Sequence, residues 1–499
     1  MKKLLSIILS VSMLLVFASC GQNVTPKPNP SFNTDYVNLD FYAVNDMHGN
    51  VTDGNNSSTG LGISKTTSYL KKQLSYNENT IFLSSGDMWQ GSSESNNTHG
   101  KIVTEWMNLL GFSSMTAGNH EFDWGLERIV ENKEIADFPF LGINVYDKNT
   151  DEQSEVFDSS VMVSKDGINV GIIGAIGDCY GSISSSRVSD LYFKVGDELT
   201  ELVKQESQKL KDDGADIVVY SLHDGYVGSN YKTSSKNAPT VKAKSLESFY
   251  DVSLSDGYVD VVFEGHTHQN YVYKDEYGVY HVQASSNNRA IAHVDVDVNK
   301  KTGDVVVNTV ETEDTSVIYE IKDDETEQLF EKYSDEIGQV YEVLGYNYKK
   351  RYSSEIEDIC AMLYLEAGQR EWGEEYEIFL GGGFLRTRSP YNLNAGNVCY
   401  KDLQSLMPFD NDIVLCSVSG YYLNKQFVST SNEDYHCSYS AYGKANKNKI
   451  VSSKTYYIVV DSYTSDYAPN HLTVIKRYAT PDVYARDLLA EYVRQGKLG

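Results

Sequence analysis

The sequence lacks the cysteine patterns that define thiolate metal sites and disulfide-rich folds. It has six cysteines in 499 residues, and no two of them are spaced as Cys-x-x-Cys. A metal site built from thiolates is therefore not expected. Apart from Cys20, the cysteines are odd in number and widely scattered, at Cys179, Cys360, Cys399, Cys416 and Cys437. This spacing is not a disulfide framework, although a single bridge is possible outside the cell.

The sequence is also poor in positive charge. It carries 43 Lys and Arg against 70 Asp and Glu, which gives a net charge of -27. Duplex nucleic acid would be repelled by such a chain and is not an expected partner. An anionic small molecule would be repelled as well. Any phosphate site must therefore depend on local cations, either metal ions or arginines.

Length predicts two domains, because 499 residues are too many for one compact core, and the pattern of the first part of the sequence is that of an α/β fold. Short apolar or β-branched runs alternate with longer helical patterns, which is typical of sheets covered by helices. The runs lie at residues 37–44, 80–84, 170–175, 217–221 and 259–263, and the helical patterns at residues 64–73, 102–110 and 197–212.

The character of the sequence changes near Ser316. Residues 323–346 are charged and helix-periodic, and they predict a connecting helix. Residues 354–371 predict an amphipathic helix that opens the second domain, and residues 455–460 predict a strand within it. We expect a domain boundary near residue 320, to within about ten residues.

The N-terminus predicts export and lipid anchoring. Lys2 and Lys3 precede an apolar run over residues 4–16, which is too short to span a membrane as a stable anchor. Phe17-Ala18-Ser19-Cys20 then resembles a bacterial lipobox, whose cysteine is lipidated. We therefore expect a lipoprotein signal peptide over residues 1–20, a flexible tether over residues 21–35, and an extracytoplasmic, membrane-anchored protein at the cell surface or in the periplasm. The alternative is a signal peptide with an incidental cysteine.

Metal-binding side chains follow four of these runs and a short run near Met115, each at the point where the predicted strand ends. These residues are Asp46 and His48, Asp87, Asn119, His223, and His266 and His268. In open α/β sheets the carboxyl ends of strands are where sites assemble. A lone His after a strand is more often a packed residue, and Gly-Asp is usually a turn. Five such placements in order make coincidence a poor explanation.

The donor types indicate which metals are expected. Imidazole, carboxylate and amide oxygen without thiolate suit Zn, Mn, Fe or Co better than Mg alone. One carboxylate, here Asp87, can bridge two cations through its two oxygens, as a phosphoryl-transfer site requires. Glycines beside the ligands permit tight turns beneath the ions. They are Gly49, Gly86, Gly118 and Gly265.

The motifs that contain these residues are Asp46-Met47-His48, Gly86-Asp87, Gly118-Asn119-His120-Glu121-Phe122-Asp123, His223 and Gly265-His266-Thr267-His268. They resemble the calcineurin-like metallophosphoesterases and, more narrowly, the bacterial 5'-nucleotidase and 2',3'-cyclic-nucleotide phosphodiesterase family. The resemblance implies a four-layer αββα metallophosphoesterase domain over residues 36–318. A linker helix over residues 319–350 and a smaller α+β substrate-recognition domain over residues 351–499 would follow.

The resemblance also implies roles for individual residues. One ion would be held by Asp46, His48, Asp87 and His268, and the other by Asp87, Asn119, His223 and His266. His120 would not be a ligand but would stabilise the phosphate or protonate the leaving oxygen, with Asp123 fixing its tautomer. A metal-bound hydroxide would attack the phosphorus in line. The competing interpretation of Asp123 is an acid at the start of a helix.

The second domain carries the substrate contacts that the resemblance implies. Gly381-Gly382-Gly383 with Arg386 and Arg388, and the downstream Pro408-Phe409-Asp410-Asn411, are similar to the family's recognition domain. Either arginine or both would bind phosphate or ribose oxygens. Tyr435 (or Tyr439 or Tyr442) and Tyr467 (or Tyr463) would clamp a nucleobase. Residues 465–470 replace the family's Gly-Gly-Asp-Gly-Tyr loop with Ser-Asp-Tyr-Ala-Pro-Asn.

Three functions are therefore considered. The first is a surface 5'-nucleotidase that releases phosphate from nucleoside 5'-monophosphates. The second is a related metallohydrolase that acts on 2',3'-cyclic nucleotides, nucleotide-sugars or another phospho- or sulfo-ester, which the altered loop motivates. The third is a non-catalytic surface-binding lipoprotein. A complete ligand set with His120 beside it speaks against the third.

Overall fold

The computed structural model describes residues 35–53, 60–225, 258–275, 277–318, 320–383, 392–428, 440–443, 450–478 and 483–498. Residues Asp35–Gly499 group as one compact unit. Among the described residues, no helix has both the length and the apolar character that crossing a membrane requires. The predicted signal peptide, Cys20 and most of the tether lie outside the described residues.

The first large sheet has six strands, which are numbered here in chain order. They are β1 (Tyr36–Val44), β2 (Thr80–Ser84), β3 (Ser114–Thr116), β4 (Phe140–Leu141), β13 (Ala290–Asn299) and β14 (Val305–Asp314). Their order across the sheet is β14-β13-β1-β2-β3-β4. Strands β1 to β4 are parallel, so their carboxyl ends share one edge, whereas β13 and β14 are antiparallel additions.

The second large sheet also has six strands. They are β6 (Ser160–Lys165), β7 (Ile168–Ile176), β9 (Ile217–His223), β10 (Val261–Glu264), β11 (Asn270–Lys274) and β12 (Tyr280–Ala284). The order is β11-β12-β10-β9-β7-β6, with β7, β9, β10 and β12 parallel. A separate two-stranded ribbon pairs β5 (Val145–Asp147) with β8 (Leu191–Phe193).

The two sheets pack face to face around a shared apolar core. On β1, Leu39 and Phe41 point into this core with Val219 and Phe263 of the second sheet, whereas Tyr42 points to the opposite face. This alternation follows from the two-residue period of a strand. The sequence of β1 therefore places one apolar row between the sheets and leaves a second row for the helices.

Helices cover the outer face of each sheet. They are α1 (Ile63–Tyr76), α2 (Ser93–Asn97), α3 (Lys101–Leu110), α4 (Leu126–Ile135) and α5 (Asp197–Asp212). Leu70, Trp106 and Ile129 bring α1, α3 and α4 onto the first sheet, and Leu199 and Val203 bring α5 onto the second. The predicted four-layer αββα architecture is confirmed.

The C-terminal part, defined here as residues 320–498, has its own sheet. Its strands are β15 (Val343–Asn347), β16 (Ile378–Gly383), β17 (Gly396–Cys399), β18 (Ile413–Ser419), β19 (Ser440–Gly443), β20 (Thr455–Asp461) and β21 (Leu472–Arg477). Five of them form a mixed sheet in the order β19-β16-β20-β18-β21, and β15 pairs with β17. The smaller α+β arrangement that the sequence predicts is confirmed.

The C-terminal part begins with α6 (Asp324–Lys332) and α7 (Ser334–Val340), which pack on the helix-covered core of the first sheet through Leu329, Phe330 and Ile337. The helices that pack on the two faces of the C-terminal sheet are α8 (Ser353–Trp372), α9 (Tyr400–Leu406), α10 (Gly420–Leu423), α11 (Ser462–Tyr467) and α12 (Ala485–Arg494). Tyr364 of α8 and Leu489 of α12 share a core with Val459 on one face. Leu423 of α10 packs with Val460 on the other face.

The prediction of one continuous helix over residues 323–346 is wrong. The segment forms α6, then α7, then the strand β15. The helix breaks at Tyr333, whose ring is buried against the first core and whose hydroxyl donates to Glu105 at 2.7 Å. Val343 and Tyr346 favour a strand over a helix, and residues 343–347 pair with β17 instead of continuing a helix.

Candidate metal centre

The candidate ligands come from both large sheets. Asp46 and His48 follow β1, Asp87 follows β2, and Asn119 follows β3 of the first sheet. His223 ends β9 of the second sheet, and the loop after β10 carries His266 and His268. The structure brings all seven side chains together, where the carboxyl ends of the parallel strands of the two sheets meet.

One group of donors consists of Asp46, His48, Asp87 and His268, and their ligand atoms lie within 4.8 Å of one another. Nε2 of His268 is 3.2 Å from Oδ1 of Asp46 and 2.9 Å from Nε2 of His48. Oδ2 of Asp87 is 4.0 Å from the same nitrogen of His48. The first three residues are buried, and the side chain of His268 is 42% exposed, so solvent reaches this group from one side.

A second group shares Asp87 with the first. It consists of Asp87, His223 and His266, again within 4.8 Å, and Asn119 lies among them. Oδ1 of Asp87 is 3.3 Å from Nε2 of His223. Oδ1 of Asn119 is 3.2 Å from that nitrogen and 2.8 Å from Nδ1 of His266. The two oxygens of Asp87 thus face different groups, which is the arrangement of a bridging carboxylate.

Backbone carbonyls fix the tautomers of two imidazoles. Nδ1 of His48 lies 3.0 Å from the carbonyl of Gln90, and Nδ1 of His223 lies 2.7 Å from that of Ser85. A carbonyl only accepts, so each Nδ1 carries the proton, and a neutral ring keeps its lone pair on Nε2. The lone pair of His223 faces the carboxylate of Asp87 and the amide oxygen of Asn119, and that of His48 faces the imidazole of His268. Such a set of acceptors fits a divalent cation, and the outer hydrogen bonds are those that orient metal-bound histidines.

The shifted pKa values of His223 and Asp87 also indicate that positive charge is stabilised at this point. Burial lowers the pKa of His223, but the charge of Asp87 and the hydrogen bond that the imidazole donates to it outweigh burial and raise that pKa to about 10. Burial and the neighbouring His223 lower the pKa of His266 to about 4. Burial raises the pKa of Asp87, but the surrounding histidines bring it well below its usual range. The charges therefore favour a bound cation at this point.

Five candidate ligands adopt left-handed backbone conformations, which the sequence did not predict. The φ angles are 48° at Asp46, 49° at His48, 55° at Asp87, 68° at His266 and 57° at His268. This region is uncommon for residues other than glycine, and such strain concentrates at functional sites. The backbone N–H groups of the first two donate to Gly86 and Asp87 at 2.9 and 3.0 Å, and these bonds hold the strained loops together.

Glycines are needed beside the ligands for two reasons. Gly86 has a φ of 87°, as a tight turn requires. Gly118 has ordinary backbone angles, but a Cβ at that position would collide with the backbone nitrogen and the carboxylate of Asp87. Close approach, and not only turn geometry, therefore explains these glycines.

Glu121 is a structural residue whose role the sequence did not reveal. Its buried carboxylate accepts the backbone N–H groups of Asp87, Met88 and Gly118 at 2.8 Å each and that of Trp89 at 3.3 Å. Burial and the charge of Asp87 raise the pKa of Glu121 to about 7. The loop that presents Asp87 is thus folded around this side chain. The only available signal was an acidic residue within the Asn119–Asp123 motif.

His120 lies beside the centre and outside both donor groups. Its Nδ1 is 2.8 Å from Oδ2 of Asp123, so this nitrogen donates to the carboxylate and the ring is held in one orientation. Its backbone N–H donates to Oδ1 of Asp87 at 2.8 Å. Its ring centroid is 5.3 Å from that of His48 and 5.8 Å from that of Phe409, on which it stacks at 19°.

The C-terminal part reaches the centre through residues 408–411. Gln90, which follows the Asp87 loop, donates to the carbonyl of Pro408 at 2.8 Å. The indole N–H of Trp124 donates to Asp410 at 2.8 Å, and the buried guanidinium of Arg486 pairs with the same carboxylate. These contacts place the ring of Phe409 against His120. Sequence motifs did not predict Gln90, Trp124 or Arg486 as residues of the site.

The predicted substrate residues are placed only in part. Arg386, Arg388 and Tyr435 lie outside the described residues. Tyr467 ends α11, and only its backbone is described. In residues 465–470, which differ from the family's glycine-rich loop, Asp466 accepts a hydrogen bond from Ser184 Oγ at 2.6 Å. This bond joins the segment to the part of the chain that precedes residue 320.

Comparison with known proteins extends the resemblance. Residues 39–270 match the family of calcineurin-like phosphoesterases. Protein UshA of Yersinia enterocolitica is 24% identical over 426 residues, which cover 78% of this chain and 75% of that protein. A 5'-nucleotidase of Vibrio vulnificus is 22% identical over 457 residues, which cover 83% of this chain and 78% of that protein.

The fold of the whole chain has a counterpart among solved structures. A 5'-nucleotidase precursor from Thermus thermophilus superposes with a TM-score of 0.64 at 17% identity, over 92% of this chain and 97% of that one. The shared fold thus includes the C-terminal part. Together with the clustered Asp and His donors, these matches identify a site for divalent metal. Residues 39–270 are therefore a calcineurin-like phosphoesterase domain, and the chain has relatives among the 5'-nucleotidases.

Proposed function

We propose that the protein is a two-metal 5'-nucleotidase that hydrolyses nucleoside 5'-monophosphates to nucleoside and phosphate. The observation that carries this proposal is the position of Asp87. Its Oδ2 faces His48 and its Oδ1 faces His223, so one carboxylate joins two groups of acceptors. A relative named 5'-nucleotidase, similar over most of both chains, supports the substrate class.

Seven residues would hold the two ions. The first position would use Asp46, His48, Asp87 and His268, and the second Asp87, Asn119, His223 and His266. The donors are nitrogen and oxygen without sulfur, which suits Zn, Mn, Fe or Co. Divalent ions in such positions neutralise charge on phosphate oxygens and make a bound water acidic.

His120 and Asp123 would handle the proton of the leaving group. Asp123 accepts from Nδ1 at 2.8 Å, which orients the ring, and Nε2 would carry the proton to the leaving oxygen. A leaving alkoxide needs a proton, and an imidazole can supply it near neutral pH. The backbone bond of His120 to Asp87 holds the ring next to the proposed ions.

The C-terminal part would bind the nucleoside. The Phe409 ring beside His120 offers an aromatic surface at the edge of the centre, which supports a substrate with a flat base. We retain Arg386 and Arg388 as proposed phosphate or ribose contacts and Tyr435 and Tyr467 as proposed base contacts. We also retain the proposed division into residues 36–318, 319–350 and 351–499.

A second candidate function is the hydrolysis of another ester, such as a 2',3'-cyclic nucleotide, a nucleotide-sugar or a sulfo-ester. Residues 465–470 favour it, because α11 and a turn occupy the segment that in the family forms a glycine-rich loop. The carboxylate of Asp466 in this segment accepts a hydrogen bond from Ser184, so this side chain makes a contact within the protein.

A hydrolysis screen that detects free phosphate and nucleoside monophosphates separates the two candidates, because cleavage of 2',3'-cyclic AMP or UDP-glucose yields a monophosphate and no free phosphate. The protein, reconstituted with Mn, Zn or Co, would be given AMP, UMP, 2',3'-cyclic AMP, UDP-glucose and p-nitrophenyl phosphate. Turnover of AMP or UMP well above the aryl phosphate supports the nucleotidase. Turnover of the aryl phosphate at the same rate as AMP and UMP, which would mean that the nucleobase does not contribute, favours the second candidate. The absence of turnover with every one of these metals contradicts both candidates.

We further propose that the chain is exported and anchored through a lipid on Cys20. The lipobox-like sequence at residues 17–20 supports this. Fractionation of cells that express the full chain and its Cys20→Ala variant tests it. The wild type should partition with membranes and the variant should not. Equal partitioning of both would contradict lipidation at this residue.

A further inference from the structure

Gln283 lies in β12, which contributes none of the candidate ligands, and it is completely buried. Its Oε1 accepts hydrogen bonds from the hydroxyl of Thr267 at 3.0 Å and the backbone N–H of Gln269 at 2.7 Å. Its Nε2 donates to the carbonyl of Gly265 at 2.7 Å. The side chain of Gln283 therefore holds the loop by hydrogen bonds to the residue before His266 and to the residues on both sides of His268.

The next two residues of the chain hold the opposite ligand loop. Asn45, which is buried next to Asp46, accepts from the backbone N–H of Ala284 at 3.0 Å and donates to the carbonyl of Ser285 at 2.9 Å. The same amide donates to Oδ2 of Asp46 at 2.7 Å. The backbone N–H of Asn287 donates to the carbonyl of Asp46 at 2.7 Å.

These contacts join loops from different sheets. Asp46 follows β1 of the first sheet, and His268 follows β10 of the second. Both loops have left-handed residues, so their shape depends on tertiary hydrogen bonds and not on local preference. The end of β12 is the common support, and it leaves Oδ1 of Asp46 and Nε2 of His268 only 3.2 Å apart.

The second donor group has other supports. His223 is oriented by the carbonyl of Ser85, and Asn119 starts the short helix that contains Glu121. Only His266 of that group belongs to a loop that Gln283 holds. Loss of the amide should therefore affect the first group most, because both Asp46 and His268 depend on β12.

We propose that Gln283 and Asn45 are positioning residues that fix the first ion position, the one between Asp46 and His268. The proposal rests on the proposed function, because it needs an ion at that position. It assigns to β12 the task of setting the spacing between ligands that come from two sheets. Outer hydrogen-bond partners of metal ligands typically change metal affinity by about 10- to 100-fold when they are removed.

Metal binding tests the proposal without relying on turnover. Metal-free full-length protein would be titrated with Mn²⁺ by isothermal calorimetry, which should resolve two classes of site in the wild type. Asp46→Asn, which alters a ligand of the first position only, identifies the class that belongs there. Gln283→Met keeps the size of the side chain and removes all four hydrogen bonds of the amide, the three to the ligand loop and one from Nε2 to the hydroxyl of Tyr271 at 3.2 Å. It should weaken that same class by about 10- to 100-fold and leave the other class within about threefold.

Asn132→Leu is the matched control. Asn132 is also completely buried, and it bonds two backbone carbonyls, of His99 and Arg128, and the hydroxyl of Thr104. It does so away from the ligand loops. This variant should lower the melting temperature as Gln283→Met does and leave both classes of Mn²⁺ site unchanged.

Several outcomes would overturn the proposal. Gln283→Met could leave Mn²⁺ binding as in the wild type, weaken both classes equally, or weaken the class that Asp46→Asn spares. If Gln283→Met does not fold, Asn45→Ala decides by the same criterion, because it removes the bond to Asp46 and those to Ala284 and Ser285. A wild type that binds no Mn²⁺, Zn²⁺ or Co²⁺ would contradict the proposed function itself, which distinguishes the two failures.

Discussion

The Nε2 atoms of His48 and His268 lie 2.9 Å apart, although the two residues follow strands of different sheets. The proton on Nδ1 of His48 is committed to the carbonyl of Gln90, so a lone pair of this ring faces the second imidazole. Two such nitrogens stay this close only with a proton or a cation between them. With Asp46 and Asp87 beside them, a cation is the better fit, and it would tie the two sheets together.

Chelation should therefore destabilise the protein. We expect EDTA to lower the melting temperature and Mn²⁺ to restore it, because a ligand bound at 100 times its dissociation constant contributes about 2.7 kcal/mol per site. Differential scanning calorimetry measures this. Asp87→Asn should lose both ions, so neither EDTA nor Mn²⁺ should change its melting temperature. Asp461→Asn removes a buried carboxylate elsewhere and should respond as the wild type does. A wild type indifferent to chelation would contradict the expectation.

His120→Asn should keep both ions and lose most of its turnover. The ring contacts Asp123 and stacks on Phe409 but lies outside both donor groups. Loss of a general acid lowers kcat by about 10²- to 10⁴-fold. Elemental analysis and steady-state kinetics together check this. His471→Asn is the control, since the ring of His471 also stacks on an aromatic ring, that of Tyr422, at 20° and lies outside both donor groups. Loss of metal from His120→Asn would show that its role is assigned wrongly.

Glu121→Gln should loosen the Asp87 loop. Each carboxylate oxygen accepts two backbone N–H groups, and an amide NH₂ in place of either oxygen leaves two buried donors without an acceptor. We expect the free energy of unfolding to fall by about 2–3 kcal/mol and Mn²⁺ affinity to fall with it. Urea denaturation of the metal-free and metal-bound protein measures both effects. Unchanged stability would mean that the four bonds are dispensable.

The stability of the protein should depend on pH through Asp461. Burial raises its pKa from 3.8 to about 6 in the folded protein, despite hydrogen bonds from Thr464. As pH rises, the carboxyl group of Asp461 loses its proton in the unfolded chain before it does so in the folded protein. The free energy of unfolding therefore falls between about pH 4 and pH 6. Above pH 6 the destabilisation caused by this group is constant. Asp461→Asn retains an acceptor for Thr464 and does not titrate.

The comparison of these two proteins isolates the effect. The variant should gain stability over the wild type across this window, by an amount on the order of 2 kcal/mol. Denaturant unfolding at pH 4, 5, 6 and 7 checks this. Parallel stability curves for the two proteins would contradict a raised pKa at Asp461.

Much of the centre could be predicted from the sequence, because most candidate ligands directly follow segments that are recognisable as strands. The runs before Asp46, Asp87 and His223 have clear β patterns, and each ends in a donor that a packed core would not need. The four-layer architecture followed from the same alternation of strands and helices. Order along the chain and donor type were sufficient for this.

The supporting contacts could not be predicted, because they depend on distant segments. Glu121 is bound to a loop more than 30 positions away, and Gln283 holds a loop on a neighbouring strand. The left-handed angles at His48 and His268 oppose the local preference of histidine and exist only through tertiary bonds. The break at Tyr333 likewise reflects burial against another helix, not helical propensity.

Anomalous diffraction from crystals of the Mn²⁺-loaded protein tests the two-metal centre most directly. We expect two manganese peaks about 3.5–4 Å apart, on either side of the Asp87 carboxylate, one near Asp46 and His268 and the other near Asn119 and His223. A single peak, peaks away from Asp87, or no peak at saturating Mn²⁺ would contradict a two-metal centre.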